Sequence, residues 1–144
     1  MSALTAGLVV GQALPELALP LDRTTIVATA IASQDFEDVH HDPGKANDRG
    51  TPDIFMSINS TNGFLDRYVT DLFGPATRIR KVALRLGVPN FPGDTMTFSG
   101  SVAEVTDAAV TLKVAGHNAR GAHVTATVTL DQPVPNPQNV GGIQ

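Results

Sequence analysis

The sequence predicts an α+β domain in which an antiparallel sheet of about five strands wraps around one long helix. Three observations carry this prediction. The chain has 144 residues, 42% apolar and 17% charged, enough to bury a core and short enough for one domain. Its second half holds four apolar runs of period two. Ahead of them lies one longer stretch whose apolar residues recur at helical spacing. Aromatic residues make up only 5% and Trp is absent, so Val, Leu, Ile and Ala must build the core, which favours strands.

In chain order, residues 24–32 are rich in β-branched types and read as a first strand. Residues 54–73 read as the helix, with Ile54, Ile58, Leu65, Val69, Leu72 and Phe73 on one side and Gly74-Pro75 as the stop. Within it, Asn59-Ser60-Thr61-Asn62-Gly63 is poor helix material and reads equally well as a turn. The four later strands follow from shared faces: Val82, Leu84 and Leu86; Met96, Phe98 and Val102; Val110, Leu112 and Val114; Val124, Ala126, Val128 and Leu130. Pro92-Gly93-Asp94, Asp107 and Gly116-His117-Asn118 supply turns. The domain is expected to span 1–130, with 131–144, rich in Pro, Asn and Gly, as a loose tail.

Composition excludes several chemistries. Without cysteine there is no disulfide framework, thiolate metal site or cysteine nucleophile. A net charge of −4 with no Lys/Arg cluster argues against a nucleic-acid partner. No apolar run is long enough to span a membrane, and the start lacks a signal-peptide pattern, so a cytoplasmic protein is expected. Neither a Gly-x-Ser-x-Gly elbow nor a Gly-rich phosphate loop is present.

Titratable residues concentrate in residues 33–43, which hold two of the four His and four carboxylates. Asp35 and His40 are five apart, roughly 140° around a regular helix, so they meet only if the helix breaks between them. A carboxylate and an imidazole facing one water form an acid/base pair, while a solvated acidic loop is the plainer reading of the same residues. The His-His-Asp run is a poor metal site, because adjacent ligands rarely converge on one ion, and none is expected. Asp38 and His41 read as surface partners or caps, and His117 and His123 as solvated histidines in a turn and on a polar strand face.

One long helix followed by four meandering strands is the layout of a hotdog domain. Asp35-x-x-x-x-His40-x-Asp42-Pro43-x-x-Ala46, followed later by Pro92-Gly93-Asp94-Thr95 ahead of a strand, resembles the hydratase motif of the MaoC-like enoyl-CoA hydratases, a hotdog family. Within that family the chain is most similar to the small catalytic subunits of actinobacterial enoyl-CoA hydratases that act on steroid side chains in cholesterol degradation. That similarity is carried by residues 35–42, Asp53-Ile54-Phe55, residues 67–71, 84–89 and 94–100, and His123-Val124-Thr125-Ala126-Thr127-Val128.

The resemblance implies addition of water across the α,β double bond of an acyl-CoA, with Asp35 and His40 holding the water. A backbone N–H at the helix start, that of Met56, would face the thioester oxygen. Many relatives have His-Gly where this chain has Phe55-Met56, and Asn-Pro where it has Glu37-Asp38, departures that suit the steroid branch. Phe55, Asn59 and Asn62 are candidates for substrate contacts, and Arg80, Lys81 and Arg85 for the CoA phosphates. No cofactor is implied beyond the CoA of the substrate. The implied partner is a second, non-identical MaoC-like hotdog chain in a heterotetramer, with a homodimer as fallback. A hotdog thioesterase and a non-catalytic hotdog subunit are the alternative functions.

Overall fold

The computed structural model describes residues 7–134. Its elements run β1 (Ala13–Pro20), α1 (Arg23–Ala32), a short 3-10 turn (Asp38–His40), α2 (Pro43–Asp48), α3 (Ile58–Phe73), β2 (Ile79–Leu86), β3 (Thr95–Val105), β4 (Ala109–Asn118) and β5 (Gly121–Asp131). The strands form one antiparallel sheet in the order β1-β3-β4-β5-β2, which leaves β1 and β2 as the edges. The sheet curls around α3, the hotdog arrangement.

The long helix is continuous through Asn59–Gly63, against its local propensity. Ser57 starts it, its side chain accepting the N–H of Ser60, which supplies one of the bonds that a helix N-terminus lacks. Leu65, Tyr68, Val69 and Phe73 then pack under the sheet, and burial of that stripe outweighs the weak first turns. Tyr68 stacks on Phe98 with centroids 5.3 Å apart and donates its hydroxyl hydrogen to Pro15 O at 2.7 Å, joining α3 to β3 and β1. Gly74, at φ 95, ends the helix in a conformation few other residues adopt.

The inward faces of β3 to β5 are as expected, with Met96, Phe98, Val102, Val110, Leu112, Val114, Val124, Ala126, Val128 and Leu130 buried, whereas on edge strand β2 Val82 and Leu84 are only partly buried and Leu86 is exposed. Residues 24–32 are not a strand. They form α1, because the Asp22 carboxylate caps the Thr25 N–H and Ile26 and Ala30, four apart, are its buried face. The first strand is instead residues 13–20, whose two prolines obscure it in sequence; on an edge strand they forfeit little pairing. Strand β4 runs through His117 to Asn118, which pairs with Gly121, so the expected turn shrinks to Ala119-Arg120. At the other end β5 includes Asp131, and Val134 is buried in the core, so packing continues past residue 130. Residues 135–144 of the expected tail lie outside the described part. Among the described residues no helix is long and apolar enough to cross a membrane.

Candidate active site

The break required between Asp35 and His40 is built locally. After α1, Gln34 takes a positive φ of 58 and the Asp35 N–H returns to Ala30 O at 2.9 Å, which ends the helix and turns the chain. The 3-10 turn of Asp38–His40 follows, and the Asp42 carboxylate then caps α2 with Pro43 in its first turn. The result places Asp35 Oδ2 3.5 Å from His40 Nε2, with side chains only 14% and 9% exposed.

The orientation of His40 follows from its other nitrogen. Nδ1 lies 2.7 Å from Phe55 O, and a carbonyl can only accept, so Nδ1 carries the hydrogen. In the neutral ring Nε2 is therefore a lone pair aimed toward Asp35. A carboxylate and a lone pair 3.5 Å apart do not bond each other, but a water beside them can give one hydrogen to each. The Phe55 ring stands edge-on to the imidazole at 5.1 Å, so this substrate candidate packs against the pair.

Neighbouring charges steady the frame. Arg49 at the end of α2 lies 3.1 Å from Asp38 and 3.7 Å from Glu37, while His41 is exposed. Arg23 grips Asp53 in a fork of 2.9 and 2.7 Å, and Asp53 also accepts the Ile54 N–H. The Arg23 bonds hold the Asp53 carboxyl below its ordinary range, helped by that backbone N–H. This clasp ties the approach to α3 onto the start of α1.

The other expected residues divide. The Met56 N–H donates to Asn90 O at 3.0 Å, so it is already occupied where a thioester oxygen was expected. Asn59 is exposed, whereas Asn62, nearly one turn on, is half-buried with its Oδ1 lacking a partner among the described residues. Asp66, four residues further, has the same feature, and burial raises its pKa. Arg80 is ion-paired with Asp131. Lys81 is exposed, and Arg85 lines a shallow depression of about 840 Å³ with Ser99, Ser101, Lys113 and Thr125 on the sheet face turned away from α3. No hydrogen bond or ion pair joins these three basic residues to the Asp35–His40 pair.

His123, expected on a polar strand face, is a correction. It is 2% exposed, with Nδ1 2.7 Å from Val88 O and Nε2 2.8 Å from Thr61 Oγ1. Gly116 pairs with Val124 and His117 with Ala122, leaving His123 as the extra residue of a β-bulge, which turns it into the core. Burial holds its pKa below the ordinary 6.5, partly opposed by the bond to Val88 O. The sequence signal lies in the neighbouring glycines rather than in the alternation. A Cβ on Gly87 would sit 2.3 Å from Ala122 O, so only glycine allows the chain to approach the bulge. His117 is exposed, as expected, though on β4 rather than in a turn.

Comparison with known proteins places these features in a family. No family model matches the chain. It is 54% identical over 122 residues, covering 85% of this chain and 95% of the relative, to the 3-oxo-4,17-pregnadiene-20-carboxyl-CoA hydratase beta subunit of Mycobacterium tuberculosis. Among solved structures it is similar to the ChsH1-ChsH2 complex from Mycobacterium tuberculosis, with 54% identity, a TM-score of 0.83, and coverage of 85% of this chain and 97% of that one. A MaoC-like dehydratase has the same fold at 21% identity and a TM-score of 0.79, covering 90% of this chain and 41% of its own. Given 54% identity along nearly the whole of that hydratase subunit, the chain belongs to the family of the 3-oxo-4,17-pregnadiene-20-carboxyl-CoA hydratase beta subunit, and it shares its fold with a MaoC-like dehydratase.

Proposed function

We propose that the chain is the catalytic subunit of a cytoplasmic enoyl-CoA hydratase that adds water to a steroid side-chain enoyl-CoA, with no cofactor beyond the CoA of its substrate. The observation that carries this reading is the 3.5 Å approach of Asp35 Oδ2 to His40 Nε2, with Nδ1 tied to Phe55 O. A water held by both acceptors loses one proton to one member of the pair as its oxygen bonds to Cβ. That proton crosses the gap to the other member, which delivers it to Cα, so both members end as they began. The reverse sequence is dehydration.

Negative charge on the thioester oxygen needs donors. Ser57 takes the N–H groups of Ser60 and Thr61, and Asn90 takes that of Met56. The Ile58 and Asn59 N–H groups precede the first intrahelical bond of α3, at the positive end of its dipole, and are assigned this role. Asn62, half-buried with its Oδ1 unpartnered among the described residues, is assigned to the acyl group.

The substrate and the partner are read from the relative at 54% identity, named for a pregnadiene carboxyl-CoA, and from a solved complex of two named chains. Physical support comes from exposed apolar residues. Phe36, next to Asp35, is 67% exposed and Ile58, the first residue of α3, is 49% exposed, an arrangement suited to cover by an acyl group and a second hotdog chain. Edge strand β2 offers that chain unpaired backbone groups.

The test is hydration of a steroid enoyl-CoA by the chain co-purified with its hotdog partner, followed by loss of enoyl absorbance. Asp35→Asn and His40→Ala are each expected to lower kcat by about 10²- to 10⁴-fold. Full activity in both variants would overturn the assignment of the pair, and release of free CoA without loss of the double bond would make the enzyme a thioesterase.

A further inference from the structure

We propose that His123 and Thr61 form a positioning pair that fixes the entry of α3 and, through it, the ring of His40. This rests on the hydratase reading for its kinetic consequence but not for its geometry. The segment Phe55–Ser57 carries the carbonyl that orients His40, the N–H taken by Asn90, and the cap of α3. It is held from two sides, and His123 joins both.

On one side is the loop from Gly87 to Asn90. The Gly87 N–H donates to His123 O at 2.7 Å and the Val88 N–H to Ala122 O at 3.0 Å. The Asn118 amide donates to Pro89 O at 2.9 Å and to Asn90 Oδ1 at 2.8 Å. The His123 Nδ1–H completes this anchoring on Val88 O, and the loop in turn presents Asn90 O to Met56. On the other side is α3. With its hydrogen on Nδ1, the neutral His123 ring accepts the Thr61 hydroxyl hydrogen at Nε2, while the Thr61 N–H holds Ser57 O at 3.0 Å. Ser57, Thr61 and His123 are all almost fully buried. An aliphatic side chain would fill the space of the imidazole, but it would leave Val88 O unpaired and the two supports unconnected, with the Thr61 hydroxyl donating only to Ser57 O at 3.2 Å.

The experiment compares Thr61→Val, which removes the hydroxyl at nearly constant shape, with Thr61→Ser, which keeps it, each in complex with the hotdog partner. Thr61→Val is expected to lower kcat about 10-fold with KM changed less than about 2-fold, and to move the ring ¹⁵N signals of His40. Thr61→Ser is expected to return kcat to within about 2-fold of wild type and to restore those signals. Thr61→Val with wild-type kcat and unmoved His40 signals would overturn the proposal and leave the pair a packing feature. If Thr61→Val does not fold, His123→Leu, which can neither accept from Thr61 nor donate to Val88 O, carries the same two readouts with the same expected and overturning results. Wild-type complex that fails to hydrate would sink the hydratase reading alone, since the His40 signals still decide the positioning.

Discussion

The loop around His40 and the bulge around His123 both bury an imidazole, and both tie its Nδ1 to a backbone carbonyl at 2.7 Å. They differ at the second nitrogen. In His123, Nε2 is satisfied by Thr61 Oγ1 at 2.8 Å, whereas in His40 it stands 3.5 Å from a carboxylate that cannot donate to it when ionised. The first ring is closed on both sides and serves as a brace. The second is oriented on one side and left chemically open on the other. Burial alone therefore does not single out a candidate for acid/base chemistry; the unsatisfied nitrogen beside a second titratable group does.

The comparison can be broken by mutation, most sharply at the open site. Asp35→Asn and His40→Ala should lose about 10²- to 10⁴-fold in kcat, and Asp35→Asn should unfold near the wild-type temperature, because it keeps the shape of the side chain, whereas His40→Ala also orphans Phe55 O. A large drop in melting temperature in Asp35→Asn would recast the open pair as structural. At the closed ring the order reverses. His123→Leu should cost about 1–3 kcal/mol of stability by orphaning Val88 O, read as a shift in the urea midpoint. An unchanged midpoint would mean that the brace carries no load.

Proton linkage provides a finer comparison. His123 has a folded pKa below its ordinary 6.5, so the unfolded chain binds the proton first as pH falls. Its contribution to stability is complete above that ordinary value and is lost progressively below it, down to the folded pKa. Unfolding followed between about pH 5 and 8 should show this slope in the wild type and a shallower one in His123→Leu; equal slopes would assign the dependence to other groups. The smallest effect is expected at the exposed clasp. Arg23→Ala should shift the urea midpoint only slightly, with the shift fading at high salt, and a salt-independent loss would show that the arginine acts through packing.

Legibility followed sequence distance. The inward faces of β3 to β5 were readable because alternation is a local property that burial on one face enforces, and at the sheet edge, where that burial is incomplete, β2 leaves Leu86 exposed. The five-residue spacing of Asp35 and His40 was readable too, since the break that joins them is made by the intervening turn and the Asp42 cap. Residues 24–32 misled because β-branched propensity is weaker than a capped turn with Ile26 and Ala30 on its inner side. Nothing local announced the true first strand, whose prolines are tolerated only because it lies at a sheet edge.

By itself the sequence determined the α+β class, the apolar faces of β3 to β5 and the spacing that lets Asp35 and His40 meet, all set by patterns within a few positions of one another. Tertiary structure alone decided that the Met56 N–H belongs to Asn90, that α3 stays helical through Asn59–Gly63, and that His123 turns inward to meet Thr61. Each of these depends on partners tens of residues away. A hydrogen bond or a buried stripe between such distant segments leaves no periodic trace in either one, because its energy exists only once the chain has brought them together.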